Sequence, residues 1–263
     1  LQTLNLTSLQ KQQLVEKMMF LAKPENRYYH YDYFLNNCTS KIRDLIDEIT
    51  AGEISSQLKP SDTQHSWNHF TFPATNQAWL NLGLAYGYGI HAYSNRNKWQ
   101  LSVFPEVFSE DIKALNKANQ LNSEYEIYYQ PNELEKLNQK ASFIKTHYAV
   151  LLIVGILMLG LLFHKTAKVT AALWLTSQSL LGFGIVFLWF FTQHSIAALN
   201  INVLLFLPIA FLLLFKTINK PLMLNLFLLT NIMWIILAAI YTNLYLIGFC
   251  LINLLIWKNR IQA

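Results

Sequence analysis

The feature that most constrains this chain is a long C-terminal stretch without a single acidic residue. All fifteen Asp and Glu lie at or before Glu135, and residues 1–146 also contain fourteen of the twenty Lys and Arg. The first part is therefore nearly neutral, and the net charge of +5 comes from six basic residues in an apolar tail. Because the excess positive charge lies in an apolar tail, it does not indicate nucleic-acid binding, and we expect no nucleic-acid partner.

The apolar tail contains five runs that predict transmembrane helices, although several are near the short end of the roughly 17–25 residues needed to span a bilayer. They cover about residues 147–163, 169–191, 201–215, 222–239 and 243–257. Little polar sequence separates the last two, so whether they are separate spans stays open. We expect a soluble domain over residues 1–146 and a bundle of five transmembrane helices over 147–263.

The loops between these runs predict the orientation. The segments 164–168, 216–220 and 258–260 carry all six basic residues of the tail, whereas 192–200 and 241–243 carry none. Because basic loops stay in the cytoplasm, the C-terminus should be cytoplasmic and residues 1–146 should lie outside. An odd number of spans agrees with this arrangement.

Cys38 is the candidate for chemistry in the outer part. It follows Asn37, a good helix N-cap residue, and precedes an amphipathic run with apolar residues from Ile42 to Ile49. In the first turn of a helix, unpaired backbone N–H groups and the positive dipole end favour a thiolate and can hold an oxyanion. Cys38 is therefore a candidate nucleophile. Cys38 packing as a small hydrophobe under the helix is the alternative.

The other cysteine does not pair with Cys38. Cys250 lies in the last apolar run, where we expect it to pack, so Cys38 is a lone thiol in an oxidising compartment unless it pairs outside this sequence. An outer domain needs an export signal, and the chain begins at Leu1 without one. We therefore expect this chain to be the C-terminal piece of a longer protein, with its outer domain incomplete at the N-terminus.

The outer part should fold as a mixture of short elements. Thr7 should cap a helix that ends before Pro24, with apolar residues including Leu9 and Met18 turned toward a core. The remaining predictions are a strand over 28–34, a loop over 53–76, a helix or strand over 79–88, a basic turn at 95–98, a helix over 109–119, a strand over 125–130 and a charged segment over 132–145.

Histidines offer two further candidates. His65 and His69 are four residues apart and could share a helix face, but no carboxylate or cysteine completes a metal site, so we expect no metal and no cofactor. His194 lies in an outer loop, followed by Asn200 and Asn202 at the head of the third run. These three are candidates for a role at the membrane surface, on the same side as Cys38; the alternative is that they are simply interfacial polar groups.

Two stretches resemble a known family. The run "YYHYDYFLNNCTSKIRDLIDE" resembles the nucleophile motif of the Lnb N-terminal periplasmic domain family. The segment "QHSIAALNINVLLFLP" resembles the same family's sequence between transmembrane helices. The matching positions are Tyr31, Tyr33, Asn37, Cys38, Thr39, Arg43 and Asp44 in the first motif, and His194, Asn200, Asn202 and Pro208 in the second.

The resemblance implies a lipoprotein N-acyltransferase in the bacterial inner membrane, with its soluble domain in the periplasm. Such an enzyme moves an acyl chain from a phospholipid through a Cys38 thioester to the N-terminal amine of a diacylated lipoprotein. The implied fold is an α+β, permuted papain-like domain of the NlpC/P60 type. Asn37, Thr39 and Tyr31 would support the nucleophile, and the catalytic histidine would lie upstream of Leu1. The membrane bundle would supply the acyl groove.

Other readings stay open. Papain-like sites also serve membrane-tethered cysteine peptidases and amidases, although five spans exceed what tethering needs. A phospholipase would differ only in letting water reach the thioester. A non-enzymatic membrane assembly or sensor protein would use Cys38 structurally.

Overall fold

The computed structural model describes residues 2–4, 6–74, 78–117, 123–125, 133–215, 220–241 and 246–261. Packing divides the chain into two compact units. The N-terminal unit consists of Leu1–Phe72 and Tyr93–Asn132, and the C-terminal unit of Pro73–Ala92 and Glu133–Ala263. Residues 73–92 thus pack with the apolar tail, although the sequence analysis assigns them to the soluble domain over residues 1–146. That division concerns which residues enter the membrane, and it stays a prediction.

Short elements occupy the first half of the chain and longer helices the second. The helices are α1 (Ser8–Leu21), α2 (Cys38–Ile49), α3 (Glu53–Leu58), α4 (Trp67–Ala74), α5 (Ala78–Gly87), α6 (Lys98–Leu101), α7 (Pro105–Lys117), α8 (Glu133–Leu162), α9 (His164–Phe191), α10 (Asn202–Leu205), α11 (Lys220–Tyr241) and α12 (Ile247–Ile261). The strands are β1 (Gln2–Leu4), β2 (Asp62–Ser66), β3 (Asn95–Asn97) and β4 (Ser123–Tyr125). Turns of 3-10 helix lie at Ile90–Tyr93, Ser195–Ala197 and Pro208–Leu214.

The strands in the described ranges form two antiparallel pairs in the N-terminal unit. β1 pairs with β4, with Gln2 opposite Tyr125, and β2 pairs with β3, with Asp62 opposite Asn97. The protein is therefore mostly helical with few strands. The papain-like fold implied by the resemblance stays an expectation.

Among the described residues of the N-terminal unit, two apolar clusters hold the short elements together. Ile54 and Leu58 of α3 pack against Phe108 and Ile112 of α7. The second cluster is aromatic: the buried ring of Phe34 stacks on Trp67 at 4.8 Å and meets Phe104 edge-on at 6.0 Å. This second cluster ties the stretch before α2 to α4, so it fixes where α2 begins.

Helix α1 confirms a sequence prediction and overturns another. Thr7 caps it in a reciprocal capping box with Gln10, as the polar run predicts. The sequence predicts that the apolar residues face a core, but none of α1 is buried, and Leu9 and Met18 are 65% and 55% exposed. The reason is the pattern itself, since the apolar residues of α1 surround the helix and form no single stripe.

Several other predictions for residues 28–130 are wrong, and the one that was left open, for residues 79–88, is settled. Residues 28–34 contain no strand: residues 28–31 are irregular, and a turn over residues 32–36 is closed by a bridge between Asp32 and Asn36. The predicted loop over 53–76 contains α3, β2 and α4, and the basic turn at 95–98 contains β3 and the start of α6. The ambiguous segment 79–88 is the helix α5. Helix α7 begins at Pro105, four residues early, because proline is well suited to a first helical position. β4 ends at Tyr125, and 126–130 lie outside the described residues.

The C-terminal unit contains an apolar helical segment for each predicted span. Within the described residues, two helical stretches are long and apolar enough to cross a membrane, Lys165–Phe191 and Pro221–Ile240. Shorter apolar segments lie at Tyr148–Leu162, Asn202–Leu214 and Ile247–Lys258. The last two predicted runs are separate helices, α11 and α12. The number of spans stays a prediction, because three segments fall below the usual spanning length.

The helix of the third apolar segment is interrupted after Leu205. Buried side-chain amides donate hydrogen bonds to the backbone carbonyl at the interruption. The carbonyl of Leu205 accepts hydrogen bonds from Gln178 Nε2 at 2.9 Å and from Asn253 Nδ2 at 3.2 Å. Gly182 of α9 lies against the carbonyl of Phe206, where an added Cβ would overlap the oxygen. Backbone groups freed inside an apolar bundle need such partners, so these side chains allow the interruption.

Candidate active site around Cys38

Cys38 is the first residue of α2, and its thiol is free and exposed. Asn37 caps the helix from an extended conformation, with its Oδ1 accepting from the Ser40 N–H at 2.8 Å. Ser40 Oγ accepts in return from the Asn37 N–H at 2.9 Å. This capping box places the thiol in the first turn, at the positive end of the helix dipole, as the sequence predicts.

The turn before Asn37 is built on Asp32, a residue that the sequence analysis missed. Its carboxylate Oδ1 accepts from the backbone N–H groups of Phe34 and Leu35, both at 2.9 Å. Backbone bonds also join Asp32 and Asn36 in both directions. Asp32 is buried, so this negative charge is used to hold the turn. An Asp followed by turn-forming Asn residues was the available signal.

Asn37 also anchors the turn to a distant segment. Its Nδ2 donates to the carbonyl of Tyr33 at 2.9 Å and to the carbonyl of Val103 at 3.1 Å. One side chain therefore caps α2, closes the preceding turn and fastens both to the loop before α7. The predicted supporting role of Asn37 in catalysis stays a prediction, but its positioning of the Cys38 backbone follows from these bonds.

Arg43 locks the other side of α2. Its side chain is buried, with Nη1 donating to the Trp99 carbonyl at 2.7 Å and the guanidinium lying 3.9 Å from the Trp99 ring centre. Nη2 pairs with the half-exposed Asp44 at 2.7 Å. Together with Asn37, this residue connects α2 to the segment 98–103.

Tyr29 is the tyrosine that contacts the thiol. Its hydroxyl lies 3.8 Å from Cys38 Sγ, and its pKa is raised above the usual value, first by desolvation and then by the hydrogen bond to Cys38. The ammonium group of Lys41 lies 4.9 Å from the same ring. Tyr31, the predicted supporting residue, packs 6.5 Å from the Tyr29 ring, and Thr39 is half-buried beside Cys38. The roles of Tyr31 and Thr39 stay predictions.

In the described part of the chain, no histidine of the N-terminal unit forms a hydrogen bond with Cys38. His65 and His69 stack on each other with ring centres 4.3 Å apart, and Phe70 meets both rings edge-on. Over the described ranges no group of three or more His, Cys, Asp or Glu could hold a metal ion. The aromatic contacts therefore account for this pair as packing.

In the C-terminal unit, Asn200 and Asn202 hold the end of α5. Asn202 Nδ2 donates to the carbonyls of Ala85 and Tyr86 at 2.6 and 3.0 Å, and Asn200 Nδ2 donates to Tyr86 at 2.8 Å. Asn202 Oδ1 accepts from Trp234 Nε1 at 3.0 Å. Both amides are buried. These hydrogen bonds show that Asn200 and Asn202 stabilise the structure. A direct role of either residue in a reaction stays a prediction.

His194 and Cys250 differ in their surroundings. His194 is exposed just before the turn Ser195–Ala197. Cys250 is buried, with its Sγ 3.3 Å from Asn231 Oδ1, and it packs in a cluster with Ile185 and Trp234. Cys250 packs as expected, and His194 stays a candidate.

The comparisons with known families decide what kind of protein carries this site. Residues 1–69 match the model of the Lnb N-terminal periplasmic domain, and residues 143–261 match the model of the Lnb transmembrane domain. The chain is an Lnb-type protein. An Lnb-type protein combines a periplasmic domain with a helical transmembrane domain, so this is a membrane protein, and its family suggests a function related to lipoprotein maturation.

The two matched stretches contain both candidate motifs of this Lnb-type protein. Cys38 and its capping turn lie in the first, and His194, Asn200 and Asn202 lie in the second. Helix α5, which the two asparagines hold, lies between the matched stretches. No curated protein matches the chain, and no solved structure matches it.

Proposed function

We propose that this Lnb-type protein is a lipoprotein N-acyltransferase with Cys38 as its nucleophile. It would transfer an acyl chain from a phospholipid to the N-terminal amine of a diacylated lipoprotein in the bacterial inner membrane. The observation that carries the proposal is an exposed thiol in the first turn of a capped helix, inside the matched periplasmic domain. Such a thiol is accessible to substrate, and the first turn of the helix can offer backbone N–H groups to an oxyanion.

The first half-reaction forms the acyl-enzyme. The Cys38 thiolate attacks the ester carbonyl carbon of the phospholipid, a C–S bond forms, and the C–O bond to the glycerol breaks. The lysophospholipid leaves as an alcohol after taking up a proton. Among the residues described, the backbone N–H groups of Cys38 and Thr39 have no hydrogen-bond partner, because the cap uses Ser40. They are the candidate donors to the oxyanion.

The second half-reaction regenerates the thiol. The amine of the lipoprotein attacks the thioester carbonyl, an amide bond forms, and the C–S bond breaks to return the thiolate. The amine loses one proton to a general base, for which we expect a histidine. A thioester suits this step because it reacts readily with amines, while a site that excludes water limits hydrolysis.

The surface around Cys38 supports a lipid donor. The turn before α2 exposes Tyr28, Tyr29 and Leu35, and Ile42 is exposed one turn after the thiol. Arg27 lies over the Tyr28 ring and Lys41 over the Tyr29 ring. Tyrosines and basic side chains next to apolar residues are typical of surfaces that meet phospholipid head groups. The one acid between residues 27 and 42, Asp32, is buried.

Intact-protein mass spectrometry after incubation with phospholipid, without an acceptor, tests the proposal. Wild type and the matched variant Cys250→Ala should gain one acyl mass that hydroxylamine removes and that maps to Cys38. Cys38→Ala should gain none. A folded wild-type protein without the adduct would contradict the proposal and favour a peptidase, whereas an adduct that water rapidly removes would indicate a phospholipase.

The acceptor is tested separately. Addition of a diacylated lipopeptide to the acylated protein should remove the adduct and yield a triacylated lipopeptide. The same peptide with a blocked amine should leave the adduct in place. Equal loss of the adduct with both peptides would contradict amine transfer.

A further inference from the structure

The N-terminal unit contains an apolar groove of about 270 Å³ that begins beside the candidate nucleophile. Thr39, Ile42 and Ile46 of α2 form one wall. Phe108 and Ile112 of α7 lie opposite, and Leu4 of β1 closes one side. None of the described residues that line the groove is charged. This groove is distinct from the exposed turn that precedes Cys38, because it follows α2 beyond the thiol.

The groove runs along the helix that carries Cys38. Positions 39, 42 and 46 are three and four residues apart, so they form one stripe of α2. Ile42 is one turn after Cys38 and is 55% exposed at the rim. The distance along the helix axis from Thr39 to Ile46 is about 10 Å. A molecule attached to Cys38 could therefore continue directly into the groove.

The lining selects one kind of occupant. A peptide strand would need partners for its backbone N–H and C=O groups, and the lining supplies few, since Thr39 and Ser109 are its hydroxyl side chains. An alkyl chain needs no such partners and gains from every methylene removed from water. Phe108 and Ile112 are buried, so the groove already has an apolar floor.

We infer that this groove binds the carboxyl-proximal methylenes of the acyl chain that Cys38 carries. The inference rests on the proposed function and adds a substrate subsite to it. It places the subsite in the periplasmic unit, whereas the family resemblance suggested that the membrane bundle supplies the acyl groove. A length of about 10 Å accommodates only the first part of a long acyl chain, so the distal part would extend beyond Ile46.

Photo-crosslinking tests binding without the thioester chemistry. Purified Cys38→Ala protein in lipid nanodiscs is irradiated with a palmitic acid analogue that carries a diazirine near its carboxyl end. Crosslinks should map to residues 39–46 and 105–112. The groove-filling variants Ile42→Trp and Ser109→Trp, made in the same background, should reduce this labelling about tenfold. Leu9→Trp is the matched control, because Leu9 is 65% exposed on α1 and does not line the groove.

Chain-length dependence separates this inference from the proposed function. Wild type, the two filling variants and the control receive p-nitrophenyl acetate or p-nitrophenyl palmitate, and Cys38 acylation is measured. The filling variants should accept acetate like wild type but palmitate about tenfold more slowly. If they accept palmitate at the wild-type rate and crosslinks lie elsewhere, the groove is not the acyl subsite, although the nucleophile stands. If wild-type Cys38 accepts neither donor, the proposed function fails, and the crosslinks alone decide the groove.

Discussion

Asn37 Nδ2 donates to the carbonyl oxygen of Val103 at 3.1 Å, across 66 residues of sequence. The same side chain caps α2 through Ser40. The residue before the candidate nucleophile therefore joins a local signal, the helix cap, to a long-range contact that sets where the helix lies.

Replacement of Asn37 should separate these two tasks. Asn37→Ala loses the cap and leaves the Tyr33 and Val103 carbonyls unpaired, so it should destabilise the protein by about 1–3 kcal/mol. Asn37→Asp keeps an acceptor for Ser40 but places a carboxylate against the two carbonyls, and it should not restore stability. Thermal unfolding midpoints in detergent measure both. Wild-type stability in Asn37→Asp would mean that capping alone explains the residue.

Replacement of Arg43 should destabilise the protein even when lysine takes its place. Arg43 is 5% exposed, and its planar group stacks on Trp99 while donating to the Trp99 carbonyl, which an ammonium group cannot reproduce. Arg43→Lys and Arg43→Met should each cost about 1–3 kcal/mol in unfolding free energy. Asp44→Asn is the control and should cost less than about 1 kcal/mol, because Asp44 is half-exposed. Equal midpoints for wild type and Arg43→Met would contradict the anchoring role.

Tyr29 should promote the reactivity of Cys38 near neutral pH. Its pKa is raised, so the hydroxyl stays protonated and able to donate to a thiolate well into the alkaline range. Tyr29→Phe should slow alkylation of Cys38 by iodoacetamide at neutral pH about threefold, since a hydrogen bond to a charged sulfur is lost. Tyr28→Phe is the control, because its hydroxyl is bonded to Arg27. Equal rates in the two variants would rule out the contribution of Tyr29.

Replacement of Asn202 should reduce the stability of the protein, whether or not this residue takes part in a reaction. Asn202→Ala leaves Trp234 Nε1 without its acceptor and removes the hydrogen bonds that the amide donates to the Ala85 and Tyr86 carbonyls, so it should destabilise the protein by about 1–3 kcal/mol. His194→Ala, at an exposed position, should change stability by less than about 0.5 kcal/mol. Loss of monodisperse protein on heating in detergent measures both. A heat-stable Asn202→Ala that no longer transfers acyl groups would instead indicate that the amide meets substrate.

Cysteine labelling tests the orientation of the bundle. In a Cys38→Ser background, Gln193→Cys should react with a membrane-impermeant maleimide on cells whose outer membrane has been permeabilised. Lys165→Cys should react only after lysis of the inner membrane, because basic loops stay in the cytoplasm. Both native side chains are exposed, so access through the protein does not limit the comparison. Labelling of Lys165→Cys before lysis would invert or refute the predicted topology.

The pattern of the sequence was sufficient for features that depend on neighbours within a helical turn or a single run. Asn37 before Cys38 predicted the start of α2, and Thr7 predicted the start of α1. The apolar runs predicted the helical segments of the tail, since length and hydropathy alone make such a segment. These signals depend on residues that are close in sequence, so they can be recognised without knowledge of the tertiary structure.

Tertiary packing decided the rest. The sequence did not indicate that the apolar residues of α1 would be exposed, that Tyr29 would be the tyrosine at the thiol, or that Arg43 would be buried against Trp99. Nor did it reveal that Asn202 holds Ala85, 117 residues away. Each outcome depends on which distant backbone groups and rings meet, and that depends on the packing of whole elements. The sequence thus determined the helix that presents Cys38, whereas the fold decided what surrounds it.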